Sequence, residues 1–586
     1  MIPSSSSTTA AGRPWSRFRS VAMAAAIATF ALAIYAGALR NGFVYDDIPQ
    51  VVQNPWIRDA SSLLAAFTSD AWGYLGIHSN YYRPMMHVVY AAANALFGLD
   101  ARGFHLLNLL LHAAVSVLVY ATSLLVLRAA PGASPARSRV LAAASGFLFA
   151  AHPIHTEVVS WISATTDLCV ALLALSALHA YATLPPERVP SASPRYLWAV
   201  IAFAIATLTK EVALVIPGIL VAWDVSFRRH AVVRVRWLAA YAPFAGVIGL
   251  YFLLRWSALG GFASISRHQE LTTLQLALNV CALFGAYLAK LVVPSGLSAF
   301  HPFDPVVSIA DPRALAGLVA LALVVAFVSI AWRRRSGAVL VALAVLLLPL
   351  LPSLWLTRLG ENPFAERYLY LPSLGFIWLL AIAGQRLVAA RPRLAPALGA
   401  AAVVLCATWA WGVAARQPAW RDDVSLWSDA AAKAPGAAIP RYNLAVALEA
   451  AGDLPRAIAE YETALRLEES PVAWTSLGAA YHAAGRDEDA LRAYGRALYW
   501  DAANVTALNG LGATYVKMGR GAAAIEPLRA AIGLAPRFAP AYHNLGLAYE
   551  QLGDSRAAIE SYRAALGADP SSAASYQRLR ALTASP

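Results

Sequence analysis

Two adjacent carboxylates, Asp46 and Asp47, follow the first long apolar segment of the chain, within the stretch NGFVYDDIPQVVQNPW. Ionised side chains are costly at a bilayer boundary, so an acidic pair at this position is a candidate functional site. An ionised carboxylate within hydrogen-bond reach of a hydroxyl group acts as a general base. The alternative is that the pair only solvates the loop or fixes a local turn. We predict a catalytic role, with Asp46 and Asp47 as the candidate bases.

Cationic side chains of later segments are candidates for stabilising the negative charge that develops on a departing phosphate group. Each of them has an alternative role as an interfacial side chain whose charged head reaches water. The candidate residues for binding a phosphate or a sugar are the cations Arg83, Lys210, Arg255 and Arg367, together with Glu211, the acidic neighbour of Lys210.

The stretch HPIHTE contributes His152, His155 and Glu157. We predict that these residues line a substrate cavity together with the cationic candidates and make polar contacts to a sugar or phosphate. Zinc ligation is an alternative, because two histidines three residues apart can share a helix face. Pro153 disfavours a regular helix through both, and no clear set of further ligands is nearby. We therefore assign no metal and no certain cofactor. A divalent metal is compatible with these residues but is not indicated by them, and a structural role at a helix end remains a third alternative.

The composition places most of the chain in an apolar environment. Of 586 residues, 59% are hydrophobic and only 13% are charged, about half the charged fraction of a soluble globular domain. The net charge of +13 does not indicate nucleic-acid binding, since the arginines form short clusters between apolar segments. Such clusters are typical of cytoplasmic loops that obey the positive-inside rule. We predict an integral membrane protein that contacts membrane lipids and binds no nucleic acid.

Apolar segments of membrane-spanning character occur throughout residues 21–415. They cover about 21–38, 104–127, 139–160, 162–181, 196–208, 212–225, 237–255, 272–293, 313–332, 337–356, 368–389 and 394–415. A long polar loop, 40–103, follows the first segment and holds the acidic pair; within it, 85–97 is predicted to form an amphipathic interfacial helix.

Basic clusters mark the predicted inside loops and orient the bundle. They are Arg128/Arg137/Arg139, Arg188/Arg195, Arg228/Arg229/Arg234/Arg236, Arg333/Arg334/Arg335 and Arg386/Arg391/Arg393. Residues 1–20, with Arg13, Arg17 and Arg19, are then a cytoplasmic tail, and 40–103 is the first outer loop. Strict alternation fails at 272–293, so we predict that this segment is re-entrant or interfacial and that about eleven segments cross. With this topology the candidate residues, and the outer stretches RHQE (267–270), HPFD (301–304) and ENPFAERY (361–368), face one outer cavity.

The last part of the chain has a different pattern, which predicts helical repeats. Gly452, Gly485, Gly519 and Gly553 recur at spacings of 33, 34 and 34 residues within W/Y-x2-LG-x2-Y units. This is the tetratricopeptide signature at its usual period. We predict a linker at 416–439 and a tetratricopeptide α-solenoid at 440–586, with about four units and a terminal helix after Pro570.

Tetratricopeptide arrays present a concave surface to peptides. Asn443 and Asn544 occupy matching positions in the first helix of their units, where a side-chain amide can hydrogen-bond an extended peptide. The alternative is that asparagine is simply common at this repeat position. We predict these two residues as peptide-binding candidates.

Taken together, the stretches FVYDDIPQVVQNPWI, YYRPM, LFAAHPIHTEVVSWI, LTKEVALVIPG and ERYLYLPSLGF, followed by the repeats, resemble the TMTC-like (transmembrane and tetratricopeptide repeat-containing) protein O-mannosyltransferases. The resemblance covers nearly the whole chain and implies an all-α, polytopic, glycosyltransferase-C-like membrane helix bundle. It further implies a polyprenyl- or dolichyl-phosphate sugar donor, an active site outside the cytoplasm and an acidic base in the first outer loop. That role maps onto Asp46 and Asp47, with Asp47 slightly favoured. Thr165 and Thr166 precede Asp167 where relatives tend to have a basic residue, which places the donor or its binding mode in question.

The predicted function is transfer of a sugar, mannose by resemblance, from the lipid phosphate to Ser/Thr hydroxyls of an acceptor polypeptide held by the repeats. The Ala- and Arg-rich composition is typical of a high-GC bacterium. It favours the bacterial inner membrane with periplasmic repeats; in a eukaryote the equivalent is the endoplasmic reticulum with lumenal repeats. Two alternatives remain: a non-catalytic membrane scaffold that assembles envelope proteins, and an enzyme of the same class with a lipid or glycan acceptor.

Overall fold

The structure is a computed structural model of the chain and describes residues 12–130, 133–185, 193–228, 239–261, 265–358, 360 and 362–584. Residues 1–11 of the predicted tail lie outside these ranges, and the side chains of Arg13 and Arg17 are likewise not described. The other residues of the sequence analysis that lie outside the described residues are Arg188, Arg229, Arg234, Arg236 and Glu361.

The chain divides into two compact units, residues 1–426 and 427–586. Every regular element of the described residues is helical, which confirms the predicted all-α class. The unit boundary lies inside a helix, Asp423–Lys433, so this part of the predicted linker 416–439 is regular structure.

The first unit is a bundle of apolar helices. Its longer helices are α1 (Gly12–Tyr35), α2 (Pro84–Phe97), α3 (Ala101–Arg128), α4 (Pro135–Ala151), α5 (Thr165–Ala182), α6 (Pro194–Thr209), α7 (Ile216–Phe227), α8 (Ala242–Leu259), α9 (Thr273–Val292), α10 (Pro312–Arg333), α11 (Gly337–Leu347), α12 (Tyr370–Ala390) and α13 (Ala395–Arg416). Helix α2 confirms the predicted helix in the first loop. The predicted segment 139–160 is shorter than expected, because Pro153 follows the end of α4 and starts a separate turn.

Eight helices within the described residues are long and apolar enough to cross a membrane. They are Arg19–Arg40, Ala101–Arg128, Ile162–Ala182, Ala242–Leu259, Thr273–Val292, Pro312–Arg333, Glu366–Ala390 and Pro392–Trp420, and the apolar helices Pro194–Thr209 and Gly337–Leu350 are shorter. On α10, Val319, Leu323 and Val325 are each more than half exposed, as expected for a surface that contacts lipid. The protein is therefore a polytopic membrane helix bundle, while the number of crossings stays a prediction.

Small residues allow the bundle helices to pack closely. Gly375 of α12 lies so near α11 that an added Cβ atom would be 2.4 Å from the Ala342 carbonyl oxygen. Trp378, one turn later, is fully buried and donates its indole N–H to Ser123 of α3 at 2.7 Å. A buried indole needs such a partner, so this contact fixes the position of α12 against α3.

The two ends of the bundle differ in chemistry. Asp46 and Asp47 lie at one end, called here the site end. At the other end, Arg228 donates to the Leu184 carbonyl at 2.8 Å, and Arg386 donates to Ser336. The basic clusters within the described residues lie at helix ends and connecting loops of this same end, as Arg128 does at the end of α3 and Arg333 at the end of α10. This distribution is what the positive-inside rule predicts if the site end faces away from the cytoplasm.

Helix α9 is the segment that broke the predicted alternation. The Leu291 carbonyl near its end accepts from His152 at 3.2 Å, and Asn279 near its start bonds the backbone of Val306 at 2.8 Å in both directions. Both partners belong to loops of the site end. Helix α9 is nevertheless long and apolar enough to cross a membrane, so its interfacial or re-entrant course stays a prediction.

The second unit is a stack of helical hairpins that begins in α14 (Asp423–Lys433). The later helices are α15 (Ala438–Ala450), α16 (Leu454–Leu467), α17 (Pro471–Ala483), α18 (Asp487–Trp500), α19 (Val505–Lys517), α20 (Gly521–Leu534), α21 (Ala539–Gln551), α22 (Ser555–Ala568) and α23 (Ala573–Ala584). The four recurring glycines lie in the turn inside each hairpin with φ between 72° and 83°, a conformation that glycine adopts without strain. Four units and a terminal helix after Pro570 are as predicted.

Candidate functional site

The acidic pair lies in a sharp turn of the first loop that follows the irregular residues 41–44. Tyr45 has φ +51°, in the left-handed region that non-glycine residues rarely adopt, and a single π-turn, Ile48–Val52, follows. Such a turn changes the direction of the chain, so the side chains of Asp46 and Asp47 enter different environments.

Asp47 is fully buried and is held by three hydrogen bonds. One carboxylate oxygen accepts from the Val44 N–H at 3.1 Å, and the other accepts from the N–H and the hydroxyl of Ser163 at 2.7 and 2.6 Å. Burial raises the pKa of Asp47 to about 7, against the opposing effect of these bonds. Asp47 therefore connects the first loop to the turn before α5 and has no free oxygen for a substrate.

Asp46 is partly exposed, and among the described residues none donates a hydrogen bond to its carboxylate. Burial raises its pKa to about 6, while the positive charges of Arg367 and Arg83 favour the ionised form. A carboxylate that is ionised near neutral pH and free to accept a proton meets the requirements of a general base. The geometry thus favours Asp46 over Asp47, the reverse of the preference given by resemblance.

Three ion pairs surround this turn and bring distant segments together. Arg83 forms a two-pronged pair with Glu211, with Nε 3.0 Å from one oxygen, and Lys210 lies 2.7 Å from both oxygens of Asp167. Although burial opposes ionisation, the charge of Arg83 lowers the pKa of Glu211 to about 2. The pair is thus charged at neutral pH.

The third pair joins the HPIHTE stretch to the start of α12. Glu157 is 2% exposed and accepts from the Arg367 guanidinium at 2.6 Å and from its backbone N–H at 2.9 Å. The Arg367 side chain is 27% exposed, and its guanidinium carbon lies 5.2 Å from the centre of the Trp161 ring. Glu157 therefore positions Arg367, and Arg367 keeps donors for another partner.

A cavity of about 500 Å³ adjoins these pairs. Its polar wall contains Lys210, Arg255, Arg358 and Arg367 with the acidic partners Asp167 and Glu211, and its larger apolar wall includes Val170, Leu214, Phe252, Leu351, Trp355 and Leu371. Asp46 is not part of the lining; Arg367 is the residue that both lines the cavity and acts on the Asp46 carboxylate. The candidate residues Lys210, Glu211, Arg255 and Arg367 are thus brought together as predicted, and Arg83 lies behind Glu211.

The two histidines do not lie where the sequence analysis predicted. His152 and His155 are fully buried; His152 donates to the Leu291 carbonyl and packs against Trp409 with tilted rings whose centres are 4.2 Å apart, and His155 bonds Ser373 at 2.8 Å. Neither lines the cavity, which differs from the position expected for them, and contact with a sugar or phosphate stays a prediction. Their polar atoms instead connect helix ends. Within the part of the chain that the structure describes, no three metal-ligating side chains converge.

In the repeat unit, Asn443 and Asn544 are both partly exposed. The Asn544 amide donates to the Asn509 side chain of the preceding hairpin at 2.9 Å, so one of its groups is engaged within the stack. The two residues stay candidates for peptide contact.

Comparisons with known proteins cover both parts of the chain. Tetratricopeptide repeat families match residues 424–471, 478–519 and 539–572. Protein O-mannosyl-transferase F38B6.6 of Caenorhabditis elegans is 24% identical over 74% of this chain, and human Protein O-mannosyl-transferase TMTC1 is 27% identical over 76%. Human TMTC3 is 30% identical over 33% of the chain.

The chain is similar to the TMTC-type protein O-mannosyl-transferases. The resemblance noted in the sequence is confirmed. The chain spans 61% of the length of the worm protein and 55% of human TMTC1. Among solved structures, the crystal structure of MamA protein is 26% identical over 25% of this chain and 81% of its own, with a TM-score of 0.24.

Several residues of the site were not predicted from sequence. Asp167 and Arg358 line the cavity, and Ser163 bonds Asp47 in the acidic turn. Asp423, near the end of the first unit in the sequence, also bonds this turn. Asp167 carried a signal, since it is an acidic residue at the start of an apolar helix. Ser163, Arg358 and Asp423 have no local pattern that distinguishes them from ordinary loop residues.

Proposed function

We propose that the protein is a membrane glycosyltransferase that transfers a sugar, with mannose as the first candidate, from a polyprenyl- or dolichyl-phosphate donor to Ser/Thr hydroxyls of proteins. The observation that carries the proposal is the arrangement around Arg367. This cation lines a largely apolar cavity, and its charge acts on the carboxylate of Asp46, to which none of the described residues donates a hydrogen bond. The names of the homologous proteins support the same activity.

The proposed chemistry separates proton transfer at Asp46 from charge stabilisation at the phosphate. Asp46 accepts the proton of the acceptor hydroxyl while the hydroxyl oxygen attacks the anomeric carbon of the donor sugar. The bond between that carbon and the phosphate oxygen breaks, and its electron pair leaves with the lipid phosphate. Arg367, Lys210 and Arg255 stabilise the charge gained by the phosphate, which lowers the barrier because these cations are already in place.

The lining of the cavity supports a lipid-linked donor rather than a nucleotide sugar. Its apolar wall continues to Leu351 and Trp355, whose side chains are 57% and 59% exposed. In a membrane bundle, exposed apolar residues face lipid. A prenyl chain therefore has an apolar path from the bilayer to the cations, while the sugar phosphate remains at the polar wall.

The proposed compartment is the non-cytoplasmic side, bacterial periplasm or endoplasmic reticulum lumen. The basic clusters at the opposite end of the bundle support this orientation. After α13, the Arg421 carbonyl accepts from the Gly42 N–H at 2.9 Å, so the chain leaves the bundle beside the acidic turn. The repeats then follow on the same side of the membrane, where they recruit the acceptor polypeptide, with Asn443 and Asn544 as candidate contacts.

The test is reconstitution of the full chain in lipid vesicles with polyprenyl-phosphate mannose and a Ser/Thr-rich polypeptide. We expect mannose on the polypeptide by mass spectrometry, and none when a nucleotide-mannose replaces the lipid donor. Transfer to a lipid or glycan alone would replace the proposed acceptor. No transfer to any acceptor, with the repeats still binding envelope proteins, would favour the scaffold alternative.

A further inference from the structure

We propose that Asp423 is a positioning residue that holds the acidic turn in the conformation that presents Asp46. The inference rests on the proposed function, in which Asp46 is the base. Asp423 lies more than 370 residues away in the sequence and belongs to neither the cavity lining nor the ion pairs described above.

The contact is made with the strained residue of the turn. The Tyr45 N–H donates to Asp423 Oδ1 at 2.7 Å, and Tyr45 has φ +51° although its side chain is large. A side chain with a Cβ atom disfavours this conformation, so it persists only where surrounding contacts fix it. A carboxylate acceptor on this one N–H is such a contact, and hydrogen bonds to charged groups are the stronger ones.

Two further bonds fix the residues that precede Tyr45. The Val44 N–H donates to Asp47 at 3.1 Å, and the Gly42 N–H donates to the Arg421 carbonyl at 2.9 Å. Asp47 and Asp423 thus accept from consecutive backbone N–H groups immediately before Asp46. The Tyr45 ring also stacks on Trp161, with 6.1 Å between ring centres.

The consequence concerns the Asp46 carboxylate, to which none of the described residues donates a hydrogen bond. The direction of this carboxylate therefore depends on the backbone around it, which the Gln50 N–H holds from the following side, at 2.9 Å from the Asp46 carbonyl, and the bonds to Val44 and Tyr45 hold from the preceding side. If the bond to Asp423 is lost, Tyr45 relaxes toward negative φ and the Asp46 carboxylate turns away from Arg367. Misplacement of a reacting group by about 1 Å costs on the order of a hundredfold in rate.

The test compares three substitutions in the full chain reconstituted in vesicles. Asp423→Ala removes the acceptor, Asp423→Asn keeps an oxygen that accepts the same bond, and Asp422→Ala is the matched control. The Asp422 carboxylate bonds Ser425 and Arg421 rather than the turn. We expect Asp423→Ala to lower kcat on the order of tenfold or more at an unchanged donor KM, with the other two near the parent chain.

A second readout does not depend on activity. Hydrogen–deuterium exchange of a peptide covering residues 43–48 is expected to accelerate in Asp423→Ala and not in Asp422→Ala. Adding Tyr45→Gly to Asp423→Ala is expected to recover part of kcat, because glycine adopts positive φ without strain. Parent-like exchange and kcat in Asp423→Ala, while Asp46→Asn is inactive, would overturn this inference alone. Full transfer by Asp46→Asn would overturn the proposed function with it.

Discussion

At the scale of single residues, the two neighbouring carboxylates have different environments and therefore different roles. Both carboxylate oxygens of Asp47 accept hydrogen bonds from backbone and hydroxyl donors. The Asp46 carboxylate accepts no hydrogen bond from the described residues and lies in the electrostatic field of Arg367 and Arg83. The sequence alone predicted a catalytic role for the pair but did not distinguish the roles of the two residues. Adjacent residues in an irregular turn have no periodicity that separates inward from outward side chains. The structure separates them through the positive φ of Tyr45.

The pH dependence of transfer follows from Asp46. Its pKa is raised to about 6, and only the ionised form accepts a proton from the acceptor. We expect kcat to rise as the pH increases through about 6 and to level off above about 7. The measurement is initial transfer rate between pH 4.5 and 8 at saturating donor; a profile already flat at pH 5 would contradict this assignment.

Asp47→Asn is expected to destabilise the first unit. An amide has one accepting oxygen, so its NH2 group must face at least one of the three donors now bonded to the carboxylate. Leaving a buried donor unsatisfied costs about 1–3 kcal/mol. Thermal denaturation in detergent measures this, with Asp46→Asn as the control that should unfold like the parent. Equal stability of the two variants would argue against a structural role for Asp47.

At the scale of elements, the site is assembled from helix ends that are far apart in sequence. Arg83 precedes α2, Glu157 follows α4, Lys210 follows α6 and Arg367 precedes α12. The positive-inside argument placed these residues at one end, because it depends only on charge counts in loops. It did not give the partners, since the ion pairs depend on how the helices pack, and it placed His152 and His155 in the cavity when they are buried between helices.

The Glu157–Arg367 pair allows charge to be tested apart from folding. Arg367→Gln alone leaves the buried Glu157 with the backbone N–H of residue 367 but without a cationic partner, which is expected to cost about 3–5 kcal/mol. The double variant Glu157→Gln/Arg367→Gln keeps a neutral hydrogen bond, so we expect a folded protein whose kcat falls on the order of a hundredfold.

The matched control for this double variant is Asp224→Asn/Arg228→Gln. It neutralises a buried pair, 3.0 Å apart, at the opposite end of the bundle. Transfer per folded molecule should be unchanged in this control. Equal losses in both double variants would show that the effect is structural rather than electrostatic at the site.

At the scale of the whole molecule, the two-part organisation was the easiest feature to predict. The 33- and 34-residue spacing of glycines and the long apolar segments each extend over many residues, so single exceptions do not obscure them. The boundary was less predictable: residues 423–433 form a helix within the predicted linker, ahead of the hairpin that holds the first recurring glycine.

The proposed orientation is tested by cysteine labelling in intact cells. In a background with Cys169, Cys281 and Cys406 replaced by serine, a single cysteine is introduced at His78, Arg334 or Arg556. His78 and Arg556 have side chains that are 95% and 91% exposed, and Arg334 lies in an exposed loop at the opposite end of the bundle. A membrane-impermeant maleimide should label positions 78 and 556 but not 334. Labelling of 334 alone would reverse the orientation.

The most direct test of the central claim is the transfer rate of Asp46→Asn measured together with its binding of polyprenyl-phosphate mannose. The substitution removes the proton acceptor and leaves the cations of the cavity in place. We expect the rate to fall by about 100-fold or more, while the affinity for the donor stays within a few-fold of the parent. Transfer at the parent rate would show that Asp46 is not the base and would contradict the account.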